Sequence, residues 1–135
     1  MKNFLHPLMS NNFESKDFKP IINLLKSKDP MLTQSKYVKN FEKSWSKWLG
    51  VKYSVFVNSG SSANMISINI LNILKGDGEI IVPSLTWSSD IASVIKNNMK
   101  PVFVDINLEN LSMNEDQVIK SYSKKTKAIF LTHIQ

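Results

Sequence analysis

The apolar positions along the chain change their period at Gly50. Before it the spacing is helical. Ile21, Ile22, Leu24 and Leu25 form a short helical cluster that Asp29-Pro30 ends. From Ser35, the residues Tyr37, Val38, Phe41, Trp45, Trp48 and Leu49 recur at steps of three and four, which predicts a helix stopped by Gly50. Its strongly aromatic face is expected to pack into a core. After Gly50 short β-rich runs alternate with helical ones. "VKYSVFV", "EIIV" (closed by Pro83), "PVFVDI" and "KAIFLTHI" read as strands. Between them, "SSANMISINILNILK" reads as a helix capped by Gly76, "WSSDIASVIKNNM" as a second, and "NEDQVIKSYSK" as a third. That third helix is opened by Asn114, with acids in its first turn that suit the helix dipole.

The resulting order from residue 51 is β-α-β-α-β-α-β with short turns. Such alternation predicts an α/β fold of three layers, with a mostly parallel sheet and helices on both faces. The strands are near-continuous apolar runs, as strands covered on both faces should be. Residues 1–34 read as an N-terminal segment with one short helix, and 35–135 as the α/β domain. The last strand runs to the end at Gln135 with no helix after it, so a longer protein is expected, of which this is the front part.

Composition narrows the chemistry. The 135 residues contain no cysteine, which excludes thiol catalysis, disulfides and cysteine-bound metal; no metal site is expected. The net charge is +6, and every basic residue is lysine. These lysines are scattered, with only Lys124, Lys125 and Lys127 close together. A nucleic-acid footprint needs a concentrated basic stripe, and base readout leans on arginine, so no nucleic-acid partner is expected. No apolar run of membrane-spanning length is present, and the polar N-terminus lacks the apolar core of a signal peptide. The cytoplasm is the expected compartment, with no membrane partner.

Ligands of open α/β sheets bind beyond the carboxyl ends of the strands. The first such end, "FVNSGSSANM", runs directly into a helix. Free amides and the helix dipole there favour an anion, Gly60 lets the backbone approach it closely, and Ser61 and Ser62 add hydroxyls. The pattern is that of a phosphate cradle, with a plain helix cap as the alternative. The nucleotide-hydrolysing GxxxxGK[ST] loop and the dinucleotide GxGxxG are absent, and Ala63 stands where a GxSxG elbow needs glycine. Ser44–Lys47 and Ser121–Lys124 match S-x-x-K but lack companion motifs. The second end, "PSLTWSSD", puts Trp87 at a helix start, where an indole can stack on a planar ring or serve as a core residue. Phosphate and planar ring together fit pyridoxal 5'-phosphate (PLP).

The run "VFVNSGSSAN … GDGEIIVPSLTWSSDIASVIKNNMKPVFVDIN … KKTKAIFLTHI", with the earlier "LTQSKYVKNFEKSWSKWLGVKY", resembles the DegT/StrS-type sugar aminotransferases over roughly residues 31 to 135. These belong to the aspartate-aminotransferase-like PLP enzymes of fold type I. The resemblance implies that residues 35–135 are an incomplete PLP-binding large domain. It implies that Gly60, Ser61 and Ser62 bind the cofactor phosphate and that Trp87 stacks on its ring. Thr33 and His133 become candidates for substrate contact, His133 against a capping or packing role. For Asp90 a solvated surface position and a supporting one are both open, and Asp105 reads as a turn or helix-cap residue.

The implied substrate is a nucleotide-linked keto-sugar, the implied amino donor glutamate, and the implied assembly a homodimer, with the aromatic face of residues 37–49 packing either within the subunit or across that interface. The product would enter a surface polysaccharide or a glycosylated metabolite. No catalytic residue is assigned within the chain, because the family's cofactor-bound lysine and its pyridine-pairing acid are expected beyond Gln135. The segment alone is therefore expected to be inactive. Some family members carry histidine in place of that lysine and dehydrate the sugar instead. A phosphate-binding α/β fragment without catalysis is the further alternative. Gln34-Ser35 departs from the family, where a glycine is usual.

Overall fold

The computed structural model describes residues 11–133, which fall into two compact units, one ending at Phe56 and the other beginning at Val57. The expectations for the first ten residues and for the last two, 134 and 135, lie outside the described residues.

The first unit carries helix α1, Ser15–Leu25, and helix α2, Lys36–Leu49. Helix α1 extends the predicted cluster toward the N-terminus and runs through Pro20. Helix α2 begins and ends as its sequence predicts. The Ser35 side chain caps it by accepting from the Tyr37 amide, and Gly50 closes it at φ 77°. Gln34 takes φ 40° in the bend before that cap, so a residue with a side chain occupies the left-handed region where a glycine was anticipated.

The expected burial of the α2 aromatic face is not found. Tyr37, Phe41, Trp45 and Trp48 are all exposed, and the buried residue of α2 is Ser46, whose hydroxyl donates to Ser54 Oγ. This unit supplies no sheet for the rings to lie on. They pack against one another instead: Phe41 stacks on Trp45 at 5.9 Å, Trp45 lies 4.9 Å from Trp48, and Phe56 meets Phe41 edge-on at 5.5 Å.

The second unit is the predicted α/β layer structure. Helix α3 spans Gly60–Lys75, strand β1 Glu79–Pro83, helix α4 Ser88–Lys96, strand β2 Lys100–Val104, helix α5 Glu115–Ser121 and strand β3 Thr126–Ile129. The strands form one sheet in the order β2-β1-β3, parallel throughout. Three of the four expected strands therefore form. The "VKYSVFV" run is extended but unpaired among the described residues, with Val51, Tyr53, Val55 and Phe56 exposed. Its β-branched and aromatic composition fits a strand, but a strand needs a neighbour to complete its hydrogen bonds.

The central strand fixes the layers. Ile80 and Val82 point to one face and pack with Ile68 of α3, Val94 of α4 and Met99. Ile81 points to the other and packs with Val104, Met113 and Val118 of α5. Period-two alternation of a fully apolar strand thus gives helices on both faces. Full burial of a side chain such as Ile80, Ile81 or Val94 stabilises by about 1.5–3 kcal/mol. Helix α5 starts as predicted, with Asn114 Oδ1 accepting from the Gln117 amide.

A polar seam joins α3 to α4. The buried Asn97 accepts from Asn69 Nδ2 at 2.9 Å and donates from its own Nδ2 to the Met65 and Ser93 carbonyls. Its carbonyl accepts from Asn72 Nδ2 at 3.0 Å. Replacing Asn97 by Leu should cost about 1–3 kcal/mol, since it removes the donor to the Met65 and Ser93 carbonyls at a buried position; a lower urea midpoint with unchanged slope would register it. Gly78 has a different constraint. A Cβ there would stand 2.6 Å from the Lys125 carbonyl oxygen, at the point where β3 begins beside β1. Gly78→Ala should therefore destabilise by about 1–3 kcal/mol through displaced backbone, read as a lowered melting temperature.

Candidate functional site

Helix α3 opens with an incompletely satisfied turn. Ser59 is its N-cap, with Oγ accepting from the Ser62 amide at 3.1 Å, and the Ser59 carbonyl takes the first helical bond from Ala63. Asn58 Oδ1 accepts from the Ser62 hydroxyl at 2.6 Å. The Ser62 amide and hydroxyl, expected to face a ligand, are thus committed within the turn. The Gly60 and Ser61 amides and the exposed Ser61 hydroxyl remain unpaired among the described residues. A shallow open depression lined by Ser61, Ser62, Met65 and Ile66 adjoins them. Two free amides at the positive end of a 16-residue helix are suited to an oxyanion such as a phosphate.

Trp87 is the N-cap residue of α4. It is 75% exposed, which removes the core-packing alternative and leaves the indole face open. An indole presented this way can cover one side of a planar aromatic ring.

Asp90 ties these turns together. It is 5% exposed, and both carboxylate oxygens are engaged. Oδ1 accepts from Asn64 Nδ2 of α3 at 2.8 Å and from Ser89 Oγ at 3.4 Å. Oδ2 accepts from Thr86 Oγ1 at 2.6 Å and from Thr132 Oγ1 at 3.3 Å, and the two threonine hydroxyls lie 2.6 Å apart. Asn64 is four residues past Gly60, Thr86 immediately precedes Trp87, and Thr132 follows β3. One carboxylate therefore joins the opening turn of α3, the β1–α4 loop and the carboxyl end of β3. The surface alternative for Asp90 does not hold. Asn64, Thr86 and Thr132 lie in the stretches at the strand ends but were assigned no role from the sequence; the one available signal was an acid and a threonine spaced for an i, i+4 contact.

The other candidates sit as follows. His133 is exposed, next to Thr132. Thr33 is exposed in the first unit, in the bend before α2. Asp105 directly follows β2 and acts as a turn residue: its Oδ1 accepts from the Ile106 amide at 2.8 Å, and its carbonyl accepts from Asn114 N at 2.9 Å. Among the described residues no helix is long and apolar enough to cross a membrane.

Comparison with known proteins places this geometry. The model of the DegT/DnrJ/EryC1/StrS aminotransferase family matches residues 12–135. GDP-4-keto-6-deoxy-D-mannose 3-dehydratase of Escherichia coli O55:H7 is 34% identical over 96% of this chain and 34% of its own. GDP-perosamine synthase of Vibrio cholerae is 32% identical over 76% of this chain and 28% of its own. The solved E. coli GDP-4-keto-6-deoxy-D-mannose-3-dehydratase with bound hydrated PLP superposes with a TM-score of 0.82 at 34% identity, covering 93% of this chain and 33% of that one. The chain thus spans about a third of the length of the relatives it matches. The parallel sheet between helix layers is that of the fold type I PLP enzymes of this kind. With a family match over nearly all of its length and relatives above 30% identity, the chain belongs to the DegT/DnrJ/EryC1/StrS aminotransferase family.

Proposed function

We propose that the chain is the front part of a PLP-dependent aminotransferase that acts on a nucleotide-linked keto-sugar. Glutamate is the amino donor, and the aminated sugar enters a surface polysaccharide or a glycosylated metabolite. In this reading residues 1–34 lead into an incomplete PLP-binding domain over 35–135, and the whole enzyme works in the cytoplasm as a homodimer. The observation that carries the cofactor assignment is the pair of unpaired amides at Gly60 and Ser61, linked through Asn64 and Asp90 to the loop that presents Trp87.

The residues present fit the cofactor. The Gly60 and Ser61 amides and the Ser61 hydroxyl donate to the phosphate, Ser62 holds the turn open by bonding Ser59 and Asn58, and Trp87 covers one ring face and excludes water from it. When bound, PLP supplies an electron sink for a carbanion at the amine-bearing carbon. His133 and Thr33 contact the sugar substrate. The whole protein supplies the proton-transferring group from outside these residues.

A second reading is the 3-dehydratase chemistry of the E. coli relative, favoured by 34% identity over 96% of this chain. The residue at the family's lysine position separates the two: lysine for amino transfer, histidine for dehydration. Product analysis of the full-length enzyme with a keto-sugar nucleotide and glutamate tests the choice. An aminated sugar supports the main reading, and a deoxygenated sugar the second.

The cofactor assignment has its own test. In the full-length enzyme, Trp87→Ala should weaken PLP binding roughly 3- to 10-fold, with Trp87→Phe close to the parent, since a stacked aromatic pair contributes about 0.5–1.5 kcal/mol beyond area burial. Titration of the visible absorbance of bound PLP measures it. Equal affinities for all three proteins would remove Trp87 from the site.

A further inference from the structure

Asp90 stands third in the first turn of α4, where an acid ordinarily faces the free amides of its own helix. Its carboxylate is turned away from that role. The principal bonds go to Asn64 of α3, to Thr86 in the preceding loop and to Thr132 after β3. Among these, the shortest is the 2.6 Å bond from Thr86.

The consequence falls on Trp87. Its side chain makes no capping bond and is 75% exposed, so within this unit the backbone that carries it sets where the indole is anchored and how far it can reach. That backbone is clamped on both sides by one residue: Thr86, immediately before Trp87, donates to Asp90 Oδ2, and the Asp90 amide donates to the Trp87 carbonyl at 3.0 Å. The same carboxylate holds Asn64, one helical turn beyond Gly60, so the clamp extends through a rigid turn to the free amides of α3. A carboxylate only accepts, so the two hydroxyl hydrogens of Thr86 and Thr132 serve both Asp90 Oδ2 and the 2.6 Å contact between the threonines, in which either can donate.

We propose that Asp90 is a positioning residue for the cofactor: it sets the Trp87 indole at one separation from the phosphate-holding turn of α3 by clamping Thr86 and Asn64 together. The inference rests on the PLP assignment above, and it goes further by giving a role to a residue that touches neither phosphate nor ring. A residue that merely stabilises the unit would lower the melting temperature and leave the bound cofactor as it was. A positioning residue changes the ring's surroundings even when every site is filled.

The test uses the full-length enzyme with PLP, comparing the parent with Asp90→Ala, Asp90→Asn and Thr86→Val. Three quantities are read: the dissociation constant for PLP, the visible circular dichroism per bound PLP at saturation, and the melting temperature. For Asp90→Ala the expected result is roughly tenfold weaker binding, about 1.4 kcal/mol, with an altered dichroic band at saturation. Asp90→Asn should restore both, because an amide oxygen still accepts from Thr86 and Asn64 can turn its own amide to accept from the new nitrogen. Thr86→Val, which removes the hydroxyl's bonds to Asp90 and Thr132 and little volume, should show the same change in the band, and it carries the test if Asp90→Ala fails to fold. A lowered melting temperature with unchanged affinity and unchanged dichroism would overturn the positioning role. Failure of the parent itself to bind PLP would overturn the cofactor assignment and this inference with it, so the two failures are distinguishable.

Discussion

The second unit depends on a buried carboxylate. Removing an ionised group from water is unfavourable by several kcal/mol unless its lone pairs are matched by donors. Asp90 meets this condition through side chains 26 and 42 residues away in sequence, together with Thr86 and Ser89 nearby. The result is geometric as well as energetic. An apolar contact tolerates sliding by fractions of an ångström, whereas a carboxylate that has to collect directed bonds from several elements admits one arrangement of them. The α3 opening turn, the β1–α4 loop and the end of β3 are therefore fixed with respect to one another before any ligand arrives.

The sheet supplies the frame for this arrangement. Strand β1 is central, with both faces buried and a parallel neighbour on either side. A parallel sheet delivers the carboxyl ends of its strands to one edge, so the loop after β1 and the residues after β3 reach the same rim. Helix α3 comes to that rim through its contact with α4. The family relation and the proposed site meet here: the α3 N-terminus proposed for the phosphate and the Trp87 indole proposed for the ring are joined through the hydrogen-bonded Asp90 carboxylate.

Much of this was legible in the residues and some of it was not, for identifiable reasons. Local signals held. Ser35 and Asn114 cap their helices as hydroxyl and amide side chains do, Gly50 ends α2 with a positive φ, and the apolar runs of β1 and β2 became parallel strands. The "VKYSVFV" run shows the limit of local reading, because strand propensity describes a residue's fit to a sheet and leaves the neighbouring strand unspecified. The aromatic face of α2 shows another: its spacing predicts a helix with an apolar side, and only the surrounding layers determine whether that side is covered. At the site, Gly60, Ser61 and Trp87 stood out through their own chemistry. Asn64 and Thr132 did not, since their importance comes from a partner in a distant part of the chain. Ser62 stood out for a reason the geometry revises, because its polar groups serve the turn rather than face outward.

The amides between α3 and α4 have an effect of their own. Greasy helix surfaces can ratchet past each other by a turn, about 5.4 Å, and find another set of ridges and grooves. Asn97, just past the end of α4, works like a key seated between Asn69, Asn72 and the Met65 carbonyl of α3. A slip of a single turn would break these matches, most costly at Asn97, the buried one of the three. The lower end of the helix pair is thus indexed as firmly as its upper end, and drift in the spacing between Gly60 and Trp87 is suppressed from below as well as from above.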